Sequence, residues 1–501
     1  MPRRFLGARA MVVLLGFAAA TGCNDLIGLT AGTPKGDGGS AGSGGGDGTP
    51  PACTPSLKGT PVENTCGVFV SPSGSDANPG SKESPLATIE AAIVVANGRP
   101  IYLCAAPFAG PVIVEEDAVL FGGLDCAAGW GYVGASSRTI ITAPAGMIPL
   151  RVTTGITAQL HDLTVRSEDA VLPGGSSIAL IAEAGADVSL VRCGIQAGNG
   201  MTGANGESYV TTATDGVKGE HGVDACLASQ AVTPPAPVSE CGEVDAAGGS
   251  GGVSEAISGG AGNPGLPQLS ENGGAGEYVT SCEVGGKGAN GLNGEAGAGA
   301  TGHGTIGVAG YTGVPGDNGE PGTTAQGGGG GGGAKGGSGS GKCADMTKAS
   351  GASGGTGGTG GCGGLGGKGG APGGASIGIL SLSASLSFEE VTIAVKDGGD
   401  GGAGGEGQFG GGGAPGGAGG MVPPAATLLK PGCSGGGGGV GGKGGAGGGG
   451  LGGHSLGIAH AGAPPDTSGV TILIGKAGAG GAGVDGFSTG AAGVAGKVEA
   501  F

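Results

Sequence analysis

Apolar residues along this chain arrive in short pulses. Val68-Phe69-Val70, Ile101-Tyr102-Leu103, Val112-Ile113-Val114, Val119-Leu120-Phe121 and Thr139-Ile140-Ile141 are each bounded by Gly, Pro, Asp or Ser, the punctuation of strands and turns. One stretch departs from this: Ala87 to Ala96 (ATIEAAIVVA) puts Ile89, Ala92, Ile93 and Ala96 on one helical face. A six-residue pattern, apolar at its first, fourth and sixth positions, then recurs. Leu160-His161-Asp162-Leu163-Thr164-Val165 aligns with Leu190-Val191-Arg192-Cys193-Gly194-Ile195 and with Phe388-Glu389-Glu390-Val391-Thr392-Ile393, and Val470-Thr471-Ile472 keeps its second half. A second element precedes three of these copies: Ser177-Ile178-Ala179-Leu180-Ile181, Ser376-Ile377-Gly378-Ile379-Leu380 and Ser455-Leu456-Gly457-Ile458-Ala459. Two elements repeated in the same order predict one strand-built coil used several times, each copy burying against the next what it cannot bury alone.

Glycine fills the unequal gaps between copies, and it has period three. Gly285, Gly288, Gly291, Gly294 and Gly297 share a register, and Gly304 to Gly322 forms another. A GGx run extends from Gly354 to Lys368, and the period holds from Gly398 to Met421 and again from Gly435 to Gly453. Three residues per turn is the polyproline II period. Extended three-fold helices pack side by side only where the contacting face lacks Cβ, and backbone hydrogen bonds then replace a hydrophobic core. With 134 Gly and 29 Pro in 501 residues and 3% aromatics, the chain is too poor in Pro for collagen and too poor in large side chains for an extensive conventional core. The GGx blocks resemble the PGRS glycine-rich proteins of mycobacteria and the polyglycine II bundles of phage tail-tip adhesins, which implies polyglycine-II-like insertions.

The run Val70-Ser71-Pro72-Ser73-Gly74-Ser75-Asp76-Ala77-Asn78-Pro79-Gly80 through Pro85-Leu86-Ala87-Thr88-Ile89 resembles the entry of bacterial right-handed parallel β-helix (pectin lyase-like) proteins, where a short helix plugs the end of the first coil. The expected fold is all-β, a right-handed parallel β-helix interrupted by glycine-rich insertions. The expected boundaries are a cap and coils over 67–197, an insertion over 198–375, a coil over 376–397, an insertion over 398–454, a coil over 455–475 and a glycine-rich end over 476–501.

The N-terminus carries an address. Arg3, Arg4 and Arg9 precede the short apolar run Met11 to Ala20, the order of a secretory signal. Ala20-Thr21-Gly22-Cys23 resembles the bacterial lipobox, although the family prefers Leu where Ala20 stands. The resemblance implies a signal peptide over 1–22, acylation of Cys23 and, with Asn24 following, sorting to the outer membrane or cell surface. The Gly-, Ser- and Pro-rich composition of 23–66 reads as a tether. The expected membrane contact is this lipid, a different claim from a spanning helix.

Net charge −17 argues against nucleic acid as a partner. With Cys23 acylated, eleven cysteines remain, and an oxidising compartment should pair most of them. Short spacings make Cys53–Cys66, Cys104–Cys126, Cys226–Cys241 and Cys343–Cys362 candidate disulfides, with the connectivity left open. Chemistry is sparse. GxGxxG matches are expected by chance at this glycine content, and Gly336 to Cys343 (GGSGSGKC) ends in Cys where a phosphate loop needs Ser or Thr. Gly480 to Phe487 fits one copy of the calcium nonapeptide GGxGxDxUx, with Asp485 as the candidate ligand. No other cofactor is indicated. A carbohydrate-active enzyme would draw on Asp162, Arg166, Glu183, Arg192, Glu389 and Glu390, of which Asp162, Arg192 and Glu390 hold equivalent positions in successive coils; outward strand positions are polar in any case. The expected function is a non-enzymatic surface scaffold whose glycine-rich loops meet a polysaccharide or cell-surface ligand. The alternatives are a β-helix polysaccharide lyase or hydrolase, and an ice- or mineral-interacting surface.

Overall fold

A computed structural model describes residues 53–501, apart from 135, 230–231, 243 and 255–256. The fold is all-β. The apolar pulses form three sheets whose main strands run parallel. The first sheet contains Val68–Val70, Ile101–Cys104, Ala118–Asp125, Thr157–His161, Asp187–Val191 and Ser385–Glu389. The second contains Pro107–Ala109, Thr139–Ala143, Leu163–Ser167, Gly194–Gln196, Val391–Ala394 and Val470–Leu473. The third contains Val112–Val114, Leu150–Val152, Ser177–Ala182, Ser376–Leu382, Ser455–Ala461 and Ala495–Ala500. From Ile101 onward the chain visits first, second and third sheet in rotation, and the last circuit omits the first.

The repeats seen in the sequence are register partners. Leu120, Leu160, Leu190 and Phe388 stack in the first sheet. Ile141, Val165, Ile195, Ile393 and Ile472 stack in the second, and Leu150, Leu180, Ile379, Ile458 and Val498 in the third. The aliphatic members of these columns before the last circuit are almost wholly buried. Ile89–Ala96 closes the start of the stack, burying the four residues expected of it. Thr88 caps this helix through Ala91 N (3.2 Å), and Asp76 holds the cap by accepting from the amides of Ala87 and Thr88. On the outer face of the first sheet, Phe69, Tyr102, Phe121 and His161 form a ring ladder with centroid spacings of 5.0, 5.7 and 4.6 Å.

All three glycine insertions leave from one corner. They lie between Gln196 and Ser376, between Ala394 and Ser455, and between Leu473 and Ala495, each a passage from second to third sheet. The segments therefore pack on one another. The amides of Gly399, Gly402, Gly405, Gln408 and Gly411 donate to the carbonyls of Gly374, Ala371, Lys368, Leu365 and Cys362, an antiparallel ladder with a step of three. Within the 353–374 segment, consecutive donors point three ways: Gly354 to Gly252, Gly355 to Cys433 and Thr356 to Glu220.

This geometry explains where glycine is obligatory. A Cβ on Gly405 would lie 2.1 Å from the Glu207 carbonyl oxygen. Glycine content also tracks depth. The 285–300 segment keeps one glycine per three through much of its length and is only partly buried. The 353–361 segment has two per three and is buried, and Gly327 to Gly333 is unbroken glycine, buried throughout. Where a side chain remains inside, it has a task. The hydroxyls of Ser353, Thr356 and Thr359 accept the amides of Val223, Glu220 and Val217 at 2.8, 2.7 and 2.6 Å. Along the outer edges, Asn205, Asp215, Asn290 and Asn293 accept the amides of Ala403, Gly412, Val440 and Lys443. These caps satisfy donors that a backbone lattice would leave open at its margin.

Four expectations need correction. The expected tether over 23–66 ends earlier: the described chain is already pinned at Cys53, which is bonded to Cys66 and whose carbonyl accepts from Tyr102 Oη at 2.6 Å. The glycine-rich end at 476–501 contains a strand, Ala495–Ala500, paired with Ser455–Ala461. The run at Gly304, Gly307 and Gly310 is a β-hairpin, Thr305–Gly307 with Gly310–Thr312, in which Gly304 and Gly310 supply positive φ (77° and 107°). Its period of three is coincidental. Finally, Cys226 pairs with Cys343, Cys241 with Cys362 and Cys282 with Cys433. The pairings Cys226–Cys241 and Cys343–Cys362 fail because antiparallel packing brings distant segments side by side. Cys53–Cys66 and Cys104–Cys126 form as expected, and Cys193 is a buried free thiol.

Candidate functional site

The candidate catalytic residues do not form one constellation. Asp162, Arg192 and Glu390 do share a column, the bend between first and second sheets, where each adopts positive φ (57°, 51° and 54°). Asp162 is 3% exposed. Its Oδ1 accepts from Tyr132 Oη (2.6 Å) and Arg192 Nε (2.9 Å), and its Oδ2 from Arg192 Nη2 (2.7 Å). Both oxygens are engaged in closing the corner. His161, stacked on Phe121 beside this pair, is held below its usual range by burial and by the Arg192 charge. Glu183 lies elsewhere, bound by Arg151 Nη1 at 2.9 Å and Thr154 Oγ1 at 3.0 Å. Arg166 faces Glu168 at 3.6 Å, and Glu389 and Glu390 are exposed.

Asp485 closes a turn between two glycine segments. Its Oδ1 accepts from Ser488 N and Oγ, both at 2.8 Å, and these hydrogen bonds lower its pKa. Among the described residues, no group of three or more His, Cys, Asp or Glu is placed to hold a metal ion, and no helix is long and apolar enough to cross a membrane. Cys343, at the end of the phosphate-loop-like run, is in a disulfide. The signal segment, Cys23 and the tether up to residue 52 lie outside the described residues.

A concavity sits at the corner from which the insertions depart, along circuits whose bends are short. The bends after Ala143 and after Ser167 form two walls, and the inserted hairpin forms the third. The resulting cavity, about 410 Å³, is lined by Met147, Ile148, Val171, Leu172, Ile178 and Tyr311 among others. Met147, Val171 and Leu172 are 53%, 63% and 71% exposed around it. A polar cavity of about 590 Å³ adjoins, sharing Ala145 and Val171 and lined by Arg166, Glu168, Asp169 and Lys396. There Lys396 Nζ meets Asp169 at 2.9 Å; the Asn199 amide and Lys396 hold this carboxylate below its ordinary range.

Tyr311 links this cleft to the interior. It packs edge-on against His454 (5.1 Å) and Phe501 (6.1 Å), and its hydroxyl is buried without a hydrogen-bond partner among the described residues. The hairpin shields the outer face of the third sheet, where Ile178, Ile181, Ile377, Leu380 and Leu456 form a second apolar cluster with Ile306 and Tyr311 against it. Sequence reasoning missed this cleft. The available signals were the unbroken apolar run Ile178 to Ile181, which implies burial on both faces, and Val171-Leu172 standing before a Pro-Gly turn.

No family model matches the chain, and no curated protein matches it. Among solved structures, a rhamnogalacturonan lyase aligns with 14% identity and a TM-score of 0.15, over 26% of this chain and 36% of that one. The chain thus spans well under half the length of that structure.

Proposed function

We propose that this protein is an exported, lipid-anchored surface scaffold: a right-handed parallel β-helix stem from one corner of which a polyglycine II bundle projects. The rotation of the chain through three parallel sheets supports the stem, and parallel crossovers are right-handed in nearly all proteins. The step-of-three amide ladders support the bundle. The observation that carries the reading is that all three glycine insertions leave the same corner and interlock, which suits a rigid projection better than independent loops. Such a projection would hold its edges away from the membrane for a polysaccharide or cell-surface partner.

Acylation of Cys23, supported by the lipobox-like Ala20-Thr21-Gly22-Cys23, would supply the anchor. Cells expressing the wild type and Cys23→Ser, fed an alkynyl fatty acid and fractionated, test it. The expected result is label and membrane association for the wild type and neither for the variant. An unlabelled wild type overturns the anchor. Polysaccharide degradation by the purified protein that disappears in Asp162→Asn or Glu390→Gln would overturn the non-enzymatic reading.

A further inference from the structure

We propose that the cleft between the corner bends and the inserted hairpin is an acyl-chain binding site. Two independent features converge there. The lining is aliphatic, with Met147, Ile148, Val171, Leu172 and Ile178, and the cavity of about 410 Å³ falls in the range of small-molecule sites. Its rim exposes Met147, Val171 and Leu172 together, and clustered exposed apolar side chains mark contact surfaces. Tyr311 lines the hairpin wall through its ring, its hydroxyl being enclosed. Glycine stands on either side of that hydroxyl: a Cβ on Gly304 or Gly313 would come within 3.0 or 3.2 Å of it.

The occupant follows from this chemistry. Sugars need several polar side chains, and this lining offers few. A hydrocarbon chain fits the walls. The adjoining cavity gives the polar end a place. Its cations are matched by anions, Arg166 with Glu168 and Lys396 with Asp169, in half-exposed pairs of the kind that contribute little and exchange readily. An amphiphile with an apolar tail and a small polar head is therefore complementary to both halves. The assignment does not depend on the anchor at Cys23.

Calorimetric titration of the full chain carrying Cys23→Ser, which avoids detergent, tests the site with sodium decanoate and 1-decanoylglycerol as probes. Single-site binding of at least one probe is expected. Leu172→Glu, at an exposed position, should weaken it about tenfold or more by placing charge in an apolar mouth. Tighter binding of decanoate than of the ester, abolished by Lys396→Ala, assigns the site to free fatty acids; equal binding assigns it to esterified chains. Absence of binding by both probes at millimolar concentration, or undiminished binding by Leu172→Glu with an unchanged circular dichroism spectrum, overturns the proposal.

Discussion

Asp162 gathers three donors at a bend where the backbone itself is strained. Positive φ is uncommon outside glycine, and Asp is among the residues that tolerate it best. In the next circuits the same bend is made by Arg192 and Glu390, and then by Gly469 at φ 79°. Asp162 and Arg192 convert this column into a partly buried ion pair. Asp162→Ala should cost about 3 kcal/mol, chiefly by leaving the partly buried Arg192 without a partner. Arg192→Ala added to it should cost little more, a coupling that a double-mutant cycle from urea denaturation would read; additive losses would show that the pair is not coupled.

His454 illustrates a second residue-scale effect. Its Nδ1 accepts from Val494 N at 2.8 Å, so its Nε2 carries the proton and donates to the His303 carbonyl, also at 2.8 Å. Burial holds the ring below its ordinary value of 6.5, against the opposing pull of the hydrogen bond to the His303 carbonyl. A depressed histidine pKa means the unfolded chain binds the extra proton first. The stability linked to His454 is therefore complete above about pH 6.5 and is lost as pH falls from there through the folded-state value. Because Val494 leads into Ala495–Ala500, that strand should lose hydrogen-exchange protection between pH 7.5 and pH 5, after correction for intrinsic rates. His454→Gln should flatten the dependence, whereas an unchanged profile would separate His454 from the strand's docking.

At the scale of elements, the glycine segments are governed by phase. In 432–453, a Cβ on Gly436 would lie 2.0 Å from the Gly286 carbonyl oxygen and one on Gly438 2.1 Å from that of Thr359, yet one on Gly437 meets nothing nearer than 3.4 Å. Gly436→Ala and Gly438→Ala should each cost about 2 kcal/mol or more, since backbone must move, while Gly437→Ala should stay within about 0.5 kcal/mol. Equal melting temperatures for the three variants would contradict the packing. The period of three was readable in the sequence, but which neighbour each ridge meets was not, because the partners lie up to 200 residues away. The same distance hid the disulfides. Antiparallel packing sets Cys226 beside Cys343, and parallel packing of 285–297 on 434–446 sets Cys282 beside Cys433, whereas short spacing favoured neighbours along the chain. The hairpin at Thr305–Thr312 was misread for a local reason: Gly304 and Gly310, which supply positive φ, happen to fall in phase with the period of three.

At the scale of the whole molecule, the repeats placed the strands correctly. Leu160, Leu190 and Phe388 were aligned by pattern and are register partners, since inward alternation leaves one residue of slip unaffordable. What pattern alone did not convey is that the insertions share one corner, a property of circuit order rather than of any segment. The cleft follows from that corner, because two short bends are overlooked there by a hairpin from a distant insertion. Asp162, Arg192 and Glu390 were legible as a column, but their engagement at a bend, which decides their role, depends on Tyr132 and on backbone conformation.

The central claim is that the glycine-rich insertions are an ordered, hydrogen-bonded bundle. NMR-detected amide hydrogen exchange at Gly402, Gly405, Gly411, Ala414, Gly417 and Gly420 tests it most directly, because each of these amides donates to a backbone carbonyl of the 353–374 segment. Protection approaching that of the Leu180 strand is the predicted result. Exchange of all six at unfolded-chain rates would contradict it.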